Sequence, residues 1–175
     1  ERWISGVDSS DAYVSTDILI LDERKHGYGA VLRAALKSAS GNSFGSARAY
    51  DAPGYFFDVS IGRNVKTSAD GKTVFRVALT TGFLCWQTDN GRQNDAVMYG
   101  ALASLKTGPF KAEVNYGGYV GWEQKGDRPM TLKTKLAWSF GRCSINAMYQ
   151  VGFMDWPFHQ IRLGATYSFP LNLHR

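Results

Sequence analysis

The sequence lacks any apolar run long enough to cross a membrane as a helix. Such a helix needs about 20 consecutive apolar residues, and polar or charged residues interrupt every stretch of the 175-residue chain before that length. The two cysteines, Cys85 and Cys143, are too few for a disulfide scaffold and lack metal-ligand spacing. These absences exclude a helical membrane protein and a disulfide-rich module, and they leave membrane proteins built from strands open.

Helical periodicity is equally scarce. Residues 29–38 come closest, because alanine and leucine favour helices, but they also alternate and their neighbours are strands, so we predict a strand there. Elsewhere apolar residues recur with the period of two that is typical of strands. The pattern predicts nine strands, at about 12–22, 27–38, 53–64, 72–86, 94–106, 109–123, 129–140, 143–154 and 158–169.

Composition and charge favour a sheet protein without a polyanionic partner. Aromatic residues make up 14% of the chain and glycines number 19, which suits pleated surfaces and turns. The net charge is +5, but lysine and arginine are scattered, and the cluster at 23–26 contains an acid and is predicted to be a solvated turn. We expect one domain over residues 1–175 and no nucleic-acid partner. The start at Glu1 fits a removed leader or a trimmed chain.

The connections between the predicted strands alternate in length. Thr107-Gly108 and Gly141-Arg142 are tight, whereas 87–93, 124–128 and 39–52 are longer and 65–71 is an exception. Short turns at one rim and longer loops at the other are typical of outer-membrane barrels, which close with an even strand count. Residues 2–7, followed by a polar turn at 8–11, supply a tenth strand, and we favour ten strands over eight.

The alternation separates two faces. One carries uncharged residues across six strands and the other carries the charges. A membrane barrel turns the apolar face outward, whereas a soluble lipocalin-like barrel turns it inward around an apolar ligand. In the membrane arrangement the residues predicted to face the lumen are Asp17, Arg33, Asp58, Arg76, Lys111, Glu113, Lys133, Lys135 and Arg162. Six positive charges against three negative ones would make residual conductance favour anions.

Aromatic residues on the apolar face gather towards the strand ends. The group near the tight turns comprises Trp138, Phe140, Tyr167, Phe169, Phe75 and Tyr28. The group near the longer loops comprises Trp122, Phe153, Phe83, Tyr99, Tyr55 and Phe57. Two such girdles are expected at the headgroup levels of a bilayer. Tyr116 and Tyr149 lie in mid-strand and do not fit this pattern.

The last predicted strand, residues 160–169, resembles the C-terminal recognition strand of bacterial outer-membrane proteins. The family places a glycine before two alternating aromatic or hydrophobic positions, and those positions match Gly164, Tyr167 and Phe169. The resemblance implies that the barrel-assembly machinery is a partner. This chain departs from the family pattern because residues 170–175 follow the final aromatic residue.

These features predict an all-β, closed antiparallel up-and-down transmembrane β-barrel of eight to ten strands in a Gram-negative-type outer membrane. We expect a structural, small-pore or assembly-partner role, with membrane lipid and other envelope proteins as partners and with no cofactor, metal or catalytic residue. A lipid-modifying hydrolase at the barrel rim is an alternative, resting on Asp155 and His159 with Ser40 and Ser43 in a loop. Cys85 and Cys143 are expected at opposite rims as two free thiols.

Overall fold

The computed structural model describes residues 12–40, 53–87, 93–122, 127–155 and 157–169, most of which lie in strands. The strands are β1 (Tyr13–Leu21), β2 (Gly29–Lys37), β3 (Gly54–Thr67), β4 (Thr73–Gln87), β5 (Gln93–Thr107), β6 (Phe110–Gly121), β7 (Met130–Phe140), β8 (Cys143–Phe153) and β9 (Phe158–Tyr167). A single helical turn, α1 (Glu23–His26), connects β1 to β2. Within the described ranges, no helix has the length and apolar character needed to cross a membrane.

All nine strands belong to one antiparallel sheet in which each strand pairs with its neighbours in sequence, in the order β1 to β9. This arrangement confirms the predicted all-β, up-and-down topology and the nine predicted strand positions. The ambiguous segment at 29–38 is strand β2, which pairs with β1 on one side and β3 on the other. Pairing on both edges outweighs the modest helix propensity of its alanines and leucines.

The sheet is open in the structure, which differs from the closed barrel of eight to ten strands predicted from the sequence. The physical reason lies in the strand count. With nine antiparallel strands, β1 and β9 run in the same direction, so the two edges cannot form an antiparallel pair. One more strand would remove this obstacle. The predicted tenth strand, residues 2–7, lies outside the described residues.

The connections lie at two ends of the sheet, here called the tight-turn rim and the long-loop rim. The tight-turn rim carries α1, the 68–72 turn and the two-residue turns 108–109 and 141–142, and the connections after β2, β4, β6 and β8 lie at the long-loop rim. Gly108 and Gly141 have φ angles of 53° and 58°, a left-handed conformation that such short hairpin turns require and that glycine adopts without strain.

The strand register joins the alternating positions into two faces. Directly paired residues share a face. The row Leu79, Ala101, Tyr116, Leu132 and Val151 belongs to the apolar face, and the row Ser60, Thr80, Gly100, Gly117 and Thr131 belongs to the polar face. The two predicted faces are therefore continuous surfaces of the folded sheet.

Exposure is inverted relative to a water-soluble protein. In β8 the apolar-face residues Ile145 and Tyr149 are 53% and 45% exposed, whereas Asn146 and Gln150 on the polar face are half-buried. Leu79 and Leu163 on the apolar face reach 67% and 81% exposure. The buried hydrophobic residues of the described chain are few and mostly small: Ala30, Ala35, Leu84, Cys85 and Ala96. In β8 the polar side of the sheet is therefore the less exposed side.

Candidate functional site

The polar face carries all nine charged residues that the sequence predicts for a barrel interior. One row across the sheet contains Asp17, Arg33 and Asp58, and a second contains Arg76, Glu113, Lys135 and Arg162. Lys111 and Lys133 lie on the same face two residues from members of the second row. Because these residues come from seven strands, the meander rather than any local motif brings them together.

The first charged cluster joins β1, β2 and β3. Arg33 donates two hydrogen bonds to the carboxylate of Asp17, from Nε at 2.7 Å and from Nη2 at 3.1 Å. Asp58 lies directly opposite Arg33 on the next strand. Two-point contact between a guanidinium and a carboxylate fixes the geometry of both groups. The cluster therefore holds one cation between two acids.

The second charged cluster, on β6 and β7, contains more cations than carboxylates. The Nζ atom of Lys111 lies 2.7 Å from Oε2 of Glu113, and the Asn115 amide donates a hydrogen bond to the other carboxylate oxygen at 3.3 Å. Lys135 is paired directly opposite Glu113, so one carboxylate faces two ammonium groups. Lys133 is flanked by Asn115 and Gln150. The wall formed by β6–β9 is consequently basic.

Two further charged residues near this face are absent from the nine predicted ones, although Lys106 follows the same alternation along β5. Lys106 is paired opposite Lys111 next to the 108–109 turn. Glu23, predicted to be part of a solvated turn, reaches back from α1 and forms an ion pair with Arg76. The two additions have opposite signs, so the positive balance of the polar face persists.

The carboxylate of Glu23 is held from two strands. Its Oε1 accepts a hydrogen bond of 2.6 Å from the backbone N–H of Asn64 in β3, and its Oε2 accepts one from Arg76 in β4. Arg76 also donates to the side-chain carbonyl of Asn64 at 3.2 Å. These bonds from Arg76 and Asn64, assisted by the charge of Arg63, hold the pKa of Glu23 below its ordinary value of 4.5.

A pH dependence of stability follows from this lowered pKa. A carboxyl group with a depressed folded-state pKa stabilises the protein above its unfolded-state value and loses that contribution as the pH falls through the folded-state value. We expect Glu23→Gln to lower the melting temperature at neutral pH, and the difference from the unsubstituted protein to shrink as the pH falls from about 4.5 through the lower folded-state pKa of Glu23. Circular dichroism melts across this range measure it. An equal difference at neutral and strongly acidic pH would contradict the expectation.

A cavity of about 410 Å³ opens on the polar face between β3 and β6. Small side chains create it, because Ser60, Thr80 and Gly100 follow one another across the sheet. Arg76 and Lys111 line its end towards the tight-turn rim. The Ser60 and Thr80 hydroxyl groups hydrogen-bond each other at 2.6 Å. The cavity is a polar space that water can occupy, bounded by the charged row at one end.

The residues of the hydrolase alternative are not assembled into a catalytic arrangement in the described structure. A carboxylate oxygen of Asp155 accepts a hydrogen bond from the Arg128 backbone N–H, and His159 Nδ1 lies 2.7 Å from the Tyr149 hydroxyl. Ser40 accepts a hydrogen bond from the Ala12 backbone, and Ser43 lies outside the described residues. The described residues also contain no group of three or more side chains able to hold a metal ion.

The cysteines occupy the predicted positions. Cys85 lies at the long-loop end of β4, and Cys143 is the first residue of β8 at the tight-turn rim. The two thiols are at opposite ends of the sheet, and neither is part of a disulfide in the structure. The prediction of their placement is confirmed.

The apolar face carries the aromatic residues at both strand ends. Trp138 pairs with Phe110 next to the tight turns, with ring centroids 6.4 Å apart, and Tyr55 and Phe57 lie 5.9 Å apart towards the long-loop rim. Tyr167 is paired opposite Cys143 and is 60% exposed, and Phe169 follows the end of β9. The aromatic positions of the recognition-strand resemblance therefore lie at one edge of the sheet, at the tight-turn rim.

Comparison of the chain with protein-family models, with curated proteins and with solved structures gives no match. The functional conclusion therefore rests on the residues and on the geometry of the two faces.

Proposed function

We propose that this chain forms a closed transmembrane β-barrel of a bacterial outer membrane, with the apolar face towards lipid and the polar face around a narrow lumen. The inverted exposure of the two faces carries this proposal. A soluble lipocalin-like barrel would enclose the apolar face around its ligand. Here apolar-face residues such as Leu79, Leu136 and Leu163 are exposed, whereas the polar-face residues Asn146 and Gln150 are half-buried. Lipid is the surrounding that removes such a surface from water.

Closure of the barrel requires one more strand, and residues 2–7 are the candidate. Because β1 and β9 run in the same direction, a strand that precedes β1 in an up-and-down meander is antiparallel to both of them. Ten strands also satisfy the even count of single-chain outer-membrane barrels. In this arrangement the strands β1 and β9 would have no free edge.

The content of the lumen favours a structural, small-pore or assembly-partner role over free diffusion of solutes. In a barrel of eight strands side chains nearly fill the interior, and ten strands leave little more room. The ion pairs Asp17–Arg33, Glu113–Lys111 and Glu23–Arg76 would occupy part of that limited space. The β9 edge, with Gly164, Tyr167 and Phe169, fits recognition by the assembly machinery before the barrel closes.

Recording in a planar lipid bilayer tests this function. We expect the protein to be silent or to show small steps that favour anions, because basic residues outnumber acidic ones on the polar face. Reversal potentials under a salt gradient give the selectivity. Large, stable, cation-selective steps would contradict the proposal. A protein that remains monomeric in water without detergent would contradict the membrane location itself.

A further inference from the structure

The helical turn α1 is built to lean over the polar face. The side chain of Asp22 caps its first turn by accepting a hydrogen bond from the Arg24 backbone, and Gly27 ends it in a left-handed conformation, with φ of 76°. A Cβ atom at Gly29 would lie 3.4 Å from Cβ of Glu23, so α1 packs closely against the start of β2. These two caps fix the turn in the orientation that directs Glu23 back to the sheet.

The contacts of Glu23 connect α1 to the charged row that borders the cavity. Arg76, its ion-pair partner, lines the cavity and belongs to the row that also contains Glu113, Lys135 and Arg162. The side chains of the pair are only 35% and 25% exposed. In contrast, the side chains of the other residues of α1, Arg24, Lys25 and His26, are exposed. Glu23 alone in α1 connects the rim to the charged row.

We propose that α1 is a latch that covers the tight-turn mouth of the lumen and is held shut by the Glu23–Arg76 ion pair. This inference rests on the proposed barrel. When the pair breaks, α1 loses both strand contacts of its carboxylate, and the Arg76 guanidinium turns to the water of the cavity. Opening therefore widens the mouth and leaves an additional cation at it.

Two single substitutions separate a latch from a simple charge effect. Glu23→Gln and Arg76→Gln both remove the ion pair, but they change the charge of the mouth in opposite directions. A latch predicts that both variants raise the open-state current over the unsubstituted protein, by roughly fivefold or more if the pair contributes as a partly buried charged hydrogen bond does. A charge effect alone predicts opposite shifts of anion selectivity with unchanged current.

Asp70→Asn is the matched control. Asp70 is a carboxylate at the same rim, but its partners are the Ser68 hydroxyl and the Lys72 backbone and ammonium group within its own turn. We expect its current to equal that of the unsubstituted protein. The exchanged pair, Glu23→Arg with Arg76→Glu, is expected to return the current to that low level.

The experiment distinguishes failure of the latch from failure of the barrel. Each variant is first folded into lipid vesicles, and its electrophoretic mobility is compared before and after boiling, because an intact barrel migrates as a compact form until heated. If the unsubstituted protein never yields that form, the proposed barrel fails. If all proteins yield it and neither Glu23→Gln nor Arg76→Gln raises the current, the barrel stands and the latch is wrong.

Discussion

Replacing Leu136 with arginine is expected to lower the free energy of unfolding in a lipid bilayer by about 2–4 kcal/mol. This is the cost of placing a cation on the lipid face at mid-depth. Leu136 lies at the middle of β7, is 45% exposed, and is paired with Ala112 and Ala147 on the apolar face. No acidic side chain occupies either paired position. The guanidinium would have to pull water into the bilayer or bend towards a headgroup.

The measurement is a urea titration of the protein folded in phosphatidylcholine vesicles, followed by tryptophan fluorescence. Thr131→Arg is the polar-face control, because Thr131 lies on the same strand as Leu136 but on the polar face, between Gly117 and Gly152, which have no side chains. We expect this control to change stability far less than Leu136→Arg. Equal costs at both positions, or a larger cost at Thr131, would mean that the polar face is not the lumen.

The sequence could predict the sheet and its two faces because successive side chains of a strand point to opposite faces, so every second residue has the same surroundings. Strand β8 illustrates this: Ile145, Ala147, Tyr149 and Val151 alternate with Asn146, Met148 and Gln150, and the register places each set on the expected face. The tight turns were equally readable, since glycine supplies the positive φ at positions 108 and 141.

The contact between Glu23 and Arg76 could not be predicted in the same way. The two residues are 53 positions apart, and their meeting depends on the cap at Asp22 and on a bulge that shifts the register between Asn64 and Lys66. Periodicity carries no information on either feature. A four-residue charged segment is also compatible with a turn in water, and only the position of β4 in the sheet decides that Glu23 has a partner.

The sequence also does not determine which face of the sheet would line the interior of a barrel. Alternation within a strand reports which face is apolar, but both a membrane barrel and a soluble barrel have one apolar face. In the folded sheet, the polar residues Asn146 and Gln150 are less exposed than Ile145 and Tyr149 on the apolar face. Our proposal of a membrane barrel rather than a soluble one therefore rests on comparing exposure on the two faces, which requires the tertiary structure.

Deleting residues 2–7 is expected to abolish the compact, heat-sensitive form of the protein in lipid vesicles. Without this segment, β1 and β9 remain parallel edges whose backbone groups have no antiparallel partner. Unsatisfied N–H and C=O groups cost several kcal/mol each in hydrocarbon, so an open sheet is not stable there. Electrophoresis of unboiled samples measures the loss directly.

Two further variants exclude a general effect of altering this end of the chain. Ile4→Pro removes a backbone donor from the middle of the proposed strand and is expected to reduce the compact form strongly, whereas Ser9→Pro in the polar turn is expected to be tolerated. In a background in which both native cysteines are replaced, a cysteine at Ile4 is then tested against cysteines placed one at a time along 161–165 of β9. Paired strands bring Cα atoms within the roughly 7 Å that a disulfide allows, so at least one position is expected to cross-link within a single chain. Complete folding of the deletion variant, or cross-links that form only between chains, would show that residues 2–7 do not close the barrel.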